Sequence, residues 1–331
     1  MGPTPRESMW LDFAAHARYL VALPLLILAE SVCLPGLAVI AHHFGDAGLI
    51  AEESRPQYEE LLESTRRVLS SQQMDIGILL LAYIVSLTFP SPLYPADTAT
   101  WVRPVPFEEV SLAGWWRILV SQPLYLMLLF GWISRIAMWS RFLYGVSRLK
   151  LDLDPAHPDM AAGLGFVGGS VSVFVALAFA LPIPIVGVVA QEILYGGSNI
   201  MQFRFAIPSV VIFVGLIFTA PLLVLSPTLL RERRKGVFQY GALASAAGRV
   251  FEQRWLKAAS KKGAEILAVP DASAVIDLYS IADNAVMMRL VPVTPRQVGR
   301  LLAAALLPFV PILAMTLPLR EIFTSVAKLV L

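Results

Sequence analysis

Long apolar runs separated by shorter charged ones set the rhythm of this chain. Six runs approach the roughly 20 residues that a helix needs to cross the hydrocarbon core of a bilayer. They are residues 19–40, 75–94, 116–140, 164–189, 205–230 and 298–317. The pattern predicts an all-α fold: a polytopic transmembrane helix bundle of about six spans with a small cytoplasmic helical section. Residues 1–230 would hold the first five spans and their loops. Residues 231–297 would form the basic helical section. Residues 298–331 would hold the last span and an amphipathic C-terminal segment.

Prolines fall in nearly every run, among them Pro24, Pro35, Pro123, Pro182, Pro221 and Pro308. Membrane helices tolerate proline where neighbours satisfy the freed carbonyls. Two readings follow: ordinary kinks, or helices broken around a central site. Trp101, Trp115, Trp116, Trp132 and Trp139 bracket the third span, as aromatics do at headgroup level. Between the first two spans, Leu61, Leu62, Val68 and Leu69 recur at helical spacing and predict an amphipathic surface helix. Residues 270–289 read as a further helix, with Asp271 placed to cap it.

Composition agrees with a lipid solvent. The 331 residues are 57% hydrophobic and 15% charged, against roughly 45–50% and about 25% in soluble domains. Mean hydropathy is +0.68. The net charge of +2 gives no overall pull toward nucleic acid. The single cysteine, Cys33, excludes an internal disulfide. Lys and Arg gather in the loops after the first, third and fifth spans, which places those loops in the cytoplasm. Residues 231–262 hold nine Lys or Arg and two Glu. Arg231, Arg233, Arg234 and Lys235 there read as an anchor on anionic lipid headgroups, and Phe238, Tyr240, Phe251 and Trp255 add apolar contacts.

Candidate chemistry is concentrated in residues 135–170. Asp152, Asp154, His157 and Asp159 sit two or three apart in a polar turn. Such groups can converge on a divalent cation; equally, Asp154 or Asp159 can cap the helix that follows. Gly163, Gly165, Gly168 and Gly169 match a dinucleotide fingerprint in letters only, since no strand precedes them. Gly165 and Gly169 lie four apart, so with Gly163 they read as helix-packing positions, or as free amides for an anion. Arg135, Arg141 and Arg148 either hold an acidic ligand or anchor a helix end. Glu30 falls near the middle of the first span, where a carboxylate is expensive and therefore a functional candidate. It would carry a proton or cation, or pair with Arg135 or Gln122. No metalloprotease, nucleophile-elbow or CxxC motif occurs. No catalytic residue, metal or cofactor is therefore assigned.

Residues 113–166, AGWWRILVSQPLYLMLLFGWISRIAMWSRFLYGVSRLKLDLDPAHPDMAAGLGF, resemble a family of uncharacterised bacterial multi-pass integral membrane proteins. That family carries an AGWW…VSxP stretch and a His-Pro-Asp…Gly-Gly-Leu-Gly-Phe signature. LVALPLLILAE, SIADNAVMMRLVP and LLPFVPIL extend the likeness over most of the chain. One departure is Ala162, where the signature has the first of its two glycines. The resemblance implies a bacterial inner membrane and no particular activity. Three functions are expected in order: passage of a small solute or ion; a non-catalytic scaffold or sensor presenting residues 231–297 to a cytoplasmic partner, or to another copy; and a membrane enzyme built on the Asp/His turn.

Overall fold

The computed structural model describes residues 9–88, 111–253 and 270–316. Among these the chain is helical and has no strand; Ile50 and Leu151 form one isolated antiparallel bridge. Eight helices are used below: α1 (Phe13–Asp46), α2 (Arg55–Leu69), α3 (Gln72–Thr88), α4 (Leu112–Arg148), α5 (Gly165–Leu194), α6 (Ile200–Phe251), α7 (Pro270–Met287) and α8 (Pro295–Met315). Five of them, α1, α4, α5, α6 and α8, are long and apolar enough to cross a membrane. A sixth span exists if α2 and α3, which meet at a 45° bend, count as one unit. The expected second span runs past Thr88 into residues outside those described.

The core is one apolar cluster. α1 packs on α4 and α5, α3 lies along α4, and α8 sits between α5 and the first half of α6. Phe174 and Phe218 stack at 4.8 Å, and Phe44 meets Phe166 edge-on at 4.8 Å. Trp132 and Trp139 lie inside this core at 1% and 5% exposure, whereas Trp115 and Trp116 are exposed. The aromatic belt expected along the third span is thus confined to its start. The reason is periodicity: both inner tryptophans fall on the face of α4 that carries Ile136, Phe142 and Leu143. Outward faces carry Leu20, Val32, Leu80, Ile84, Phe213 and Leu216, as lipid requires.

Prolines act locally. α6 tightens into a 3-10 turn at Ala220–Leu225, beside Pro221, and α8 does so at Leu307–Phe309, around Pro308. Phe174, Leu177, Phe218, Leu222, Leu225 and Phe309, around these turns, are all fully buried and apolar. These are kinks in a packed interior lined by apolar side chains.

α1 and α4 instead widen into π turns, Ala17–Ala22 and Arg117–Ser121, just before Pro24 and Pro123. In α4 the Gln122 N–H reaches back to Arg117 O. Pro123 has no N–H to offer Ile118 O or Leu119 O, the next two acceptors in line. α3 supplies the donors. Ser86 Oγ donates to Ile118 O at 2.6 Å, and Tyr83 OH donates to Leu119 O at 3.1 Å. An unpaired carbonyl in lipid is costly, so these hydroxyls fix α3 against α4.

Ser86→Ala should therefore lower stability by about 1–3 kcal/mol, read as thermal unfolding in detergent. Adding Pro123→Ala restores a backbone donor and should recover part of that loss. No recovery would mean that Ser86 matters only for packing.

Candidate functional site

Glu30 on α1 and Arg135 on α4 form an ion pair at 2.6 Å. The guanidinium also lies over the Trp132 ring, 5.3 Å from its centroid, and Trp132 Nε1 donates to Leu26 O at 3.1 Å. Leu26 and Glu30 are one turn apart on α1, as are Trp132 and Arg135 on α4, so the two helices are tied at consecutive turns. Leu26, Ala29, Cys33 and Trp132 around the pair are buried. Gln122 does not join it. Thirteen residues of α4, roughly 20 Å of helical rise, separate Gln122 from Arg135, and its side chain is buried at the other end of the bundle.

The polar turn after α4 is built residue by residue. Ala51 N donates to Lys150 O and Asp152 N to Leu49 O, which lays the turn along the exit of α1. Asp154 Oδ1 accepts from Ala156 N at 2.9 Å, closing an Asx turn. Asp159 is the centre. Its Oδ1 accepts from Ala161 N and Gly163 N, at 2.8 and 3.1 Å, and its Oδ2 from Gly165 N at 2.7 Å. His157 Nδ1 lies 2.9 Å from Oδ1. Partial burial alone would raise the Asp159 pKa, but these three N–H donors and the imidazole outweigh it and hold the carboxyl below its ordinary range. The chain bends around the carboxylate with Met160, Ala162 and Gly163 in the left-handed region, at φ 54°, 56° and 89°.

Asp159 takes the first N–H of α5, from Gly165, but the cap position itself is Leu164, which makes no side-chain cap bond, and Asp154 does not reach that helix. Asp154 and Asp159 each close their own loop, and Asp152 faces a cleft of about 400 Å³ beside α2, with His42, Asp46, Glu52, Arg55 and Tyr58. Among the described residues no three His, Cys, Asp or Glu side chains gather as a metal site would need. The glycines differ from expectation. Gly163 serves a left-handed turn, with Leu49 close by, and a Cβ on Gly165 would lie 2.8 Å from Asp159 Oδ2. Gly169 makes only ordinary contact with Ile40. The close approach belongs to Gly168, whose added Cβ would collide with Pro292 O. Spacing of four did not reveal this because α5 opens with a 3-10 turn, Gly165–Gly168, rather than an α-helical one.

Arg289 locks the turn from the other side. Its side chain donates to Asp159 O at 2.6 Å and to Val293 O at 3.2 Å, and its backbone N–H to Met160 O at 2.7 Å. Asn284 Nδ2 donates to Ala156 O, and Gly236 on α6 allows Pro155 to approach. Arg233 donates to Val286 O at 2.8 Å and so ties α6 to α7 rather than pointing to headgroups. Arg231, Arg234 and Lys235 remain exposed, Lys235 beside Glu232 at 3.3 Å. Arg141 and Arg148 lie on the exit turns of α4, and Arg148 donates to Tyr144 OH. The turn and the α6–α7 hairpin thus form one joined unit. No family model, curated protein or solved structure matches this chain.

A second polar region was missed by spacing arguments. Arg18 and Arg117 are 2% and 3% exposed, and Asp12 and Gln122 are buried near the same ends of α1 and α4. Arg18 lies over the Tyr19 and Tyr125 rings at 5.8 and 5.9 Å. Each arginine heads a π turn and precedes a proline by six residues. The signal was present in the letters: RYLVALPL and RILVSQPL share R-x-L-V-x-x-P-L. Asp271, expected to cap α7, instead lies inside it as its second residue; Trp101 and residues 254–262 lie outside the described residues.

The lowered Asp159 pKa has a sign. Its contribution to stability is fully present above the ordinary aspartate pKa of about 3.9 and is lost as pH falls through the lowered value. Asp159→Asn should cost about 2 kcal/mol at neutral pH, the scale of a hydrogen bond to a charged group. The difference in Tm between parent and variant should shrink below about pH 4. A difference that does not change with pH would show that the charge is not what holds the turn. Separately, Gly163→Ala should destabilise by about 1–2 kcal/mol, whereas Ala162→Gly, at a position of similar φ, should not.

Proposed function

We propose that this integral membrane protein is a non-catalytic scaffold that presents the α6–α7 hairpin to a protein partner. The observation that carries the reading is the attachment of the hairpin to the bundle through Arg289, Asn284 and Pro155 while its outer side exposes Phe238, Ile276 and Met287. α6 has 52 residues, a contour of roughly 78 Å, against a hydrocarbon core of about 30 Å; one end must project. The basic content of that end supports a cytoplasmic side. Around the kinks of α6 and α8 the described side chains are apolar and fully buried, whereas the kinks of α1 and α4 hold the buried Arg18 and Arg117.

The reading of Glu30 as a carrier of protons or cations keeps one support, its position within a span. Its pairing with Arg135 supports a structural role. Reconstituted in proteoliposomes, the parent should show no proton, sodium or potassium flux above lipid alone. Glu30→Gln should lower the Tm in detergent, because it removes the carboxylate from a partly buried pair that ties α1 to α4. Flux in the parent that disappears in a fully stable Glu30→Gln variant would overturn the scaffold and restore transport. For sidedness, a thiol at Ser245 in a Cys33→Ser background should resist impermeant reagents in intact cells; labelling there would reverse the orientation.

A further inference from the structure

α6 and α7 run antiparallel, with Gly236 level with Ala285, while the Tyr279 hydroxyl reaches along the pair to Gly248. α6 turns Gly236 and Ala244 toward its neighbour, and α7 turns Ala285 and Met288. Each helix also shows a seam that is exposed among the described residues. On α7 it is Ile276, Tyr279, Asp283 and Val286, at the 3-4-3 spacing of a coiled-coil stripe, with Ile276 68% exposed. On α6 it is Arg234, Phe238, Ala242, Ser245 and Arg249, with Phe238 77% exposed. From the line of contact, each seam is reached by turning forward along its own helix by a little over a right angle, at about 100° per residue. In an antiparallel pair those turns carry both seams to the same side of the hairpin.

The two seams differ in charge. α7 carries Asp271, Asp277 and Asp283 and no Lys or Arg, while the α6 seam is bounded by two arginines. A helix that lacks basic residues is poorly suited to an anionic lipid surface. A protein with a basic, partly apolar helix suits it better, and the other half of this hairpin is such a helix. We propose that the hairpin is a homodimerisation surface: two copies, related by a twofold axis parallel to α6, place the α6 seam of each on the α7 seam of the other. The axis is compatible with both copies standing in one membrane, and a twofold makes both contacts at once. With Gly236 level with Ala285, Phe238 falls level with Asp283 and about one turn from Val286 and Met287, Ala242 level with Tyr279, and Ser245 level with Ile276. Arg249 falls a little over one turn from Asp277, and Arg234 one turn from Asp283, within reach of a long arginine side chain. Small residues thus face large ones, and each arginine can reach a carboxylate. The inference rests on the scaffold reading and names its partner as a second copy of the chain.

The experiment uses the full chain in nanodiscs, in a Cys33→Ser background. Two differently tagged copies, one with Ala242→Cys and the other with Tyr279→Cys, should give a mixed disulfide. Ala242→Cys alone and Tyr279→Cys alone should not self-crosslink, because like helices sit diagonally in this arrangement. Asp277→Arg with Asp283→Arg should weaken the dimer about tenfold or more, and so should Arg234→Asp with Arg249→Asp. Mixing those two charge-reversed copies should restore a dimer at the parent's strength. A single chain by native mass spectrometry at every concentration would overturn the proposal, as would crosslinks between like positions. So would quenching of a probe at Ile276→Cys by lipid-borne quenchers, which would put the seam on the membrane surface. The two readings fail separately: a dimer that conducts ions sinks only the scaffold, and a silent monomer sinks only the dimer.

Discussion

Inside a bilayer no water is available to a carbonyl that loses its donor, and that constraint orders the membrane part of this molecule. Pro123 removes a donor from α4, and the helix answers with a π turn whose next two carbonyls are taken by Ser86 and Tyr83. The hydroxyls come from α3 and add directional ties to its side-chain packing on α4. A proline that looks like a defect in one helix thus specifies the register and the partner of another. The same letters recur in α1, where a π turn again separates a buried arginine from a proline.

At the other end the ordering element is a carboxylate. Asp159 gathers three backbone donors into a tight loop that takes Met160 and Ala162 through left-handed conformations, and Arg289 fastens that loop from across the chain. Left-handed backbone at two residues with side chains is costly, so the charge-assisted hydrogen bonds must offset it. The arginine donates to carbonyl oxygens, not to the carboxylate, so the carboxylate stays committed to its own loop. Bundle and hairpin are joined through directional hydrogen bonds between main chain and side chain. Such a joint transmits position better than a greasy contact of equal area, because it has few alternative arrangements.

Much of this was legible in the sequence. Apolar runs of membrane length located the spans, because lipid leaves composition as the dominant signal. The Glu30 and Arg135 pair was nameable, since an intramembrane acid needs a cation and few are available at that depth. An aspartate that gathers backbone N–H groups near a helix start followed from the residue types around a turn, though Asp159 lies six residues before Gly165 rather than at the cap position. Three things were hidden. Trp132 and Trp139 looked like interfacial anchors, because distance from a helix end does not reveal which face a residue occupies. Gly168 was passed over for Gly165 and Gly169, because α-helical spacing does not apply to a 3-10 opening. The two π turns were missed although their motif was written twice, since a short repeat within two apolar helices resembles chance until structure gives both copies the same shape.

The distribution of polar groups then bears on function. Along the middle of the bundle, Glu30 and Arg135 bridge two helices and are backed by Trp132, whose own N–H is taken by Leu26 O. An acid that carried protons through the membrane would need to exchange partners, and this one faces a cation that shares its clamp with a second, independent tie one turn away. Releasing Glu30 would leave a guanidinium among apolar side chains. The α6–α7 hairpin carries exposed charges and exposed apolar side chains among its described residues, as α2 carries exposed charges on its outer face. A rigid membrane part and a chemically two-sided hairpin are what a molecule needs if it holds a surface in place, with the bilayer serving as its foundation rather than as a barrier to be crossed.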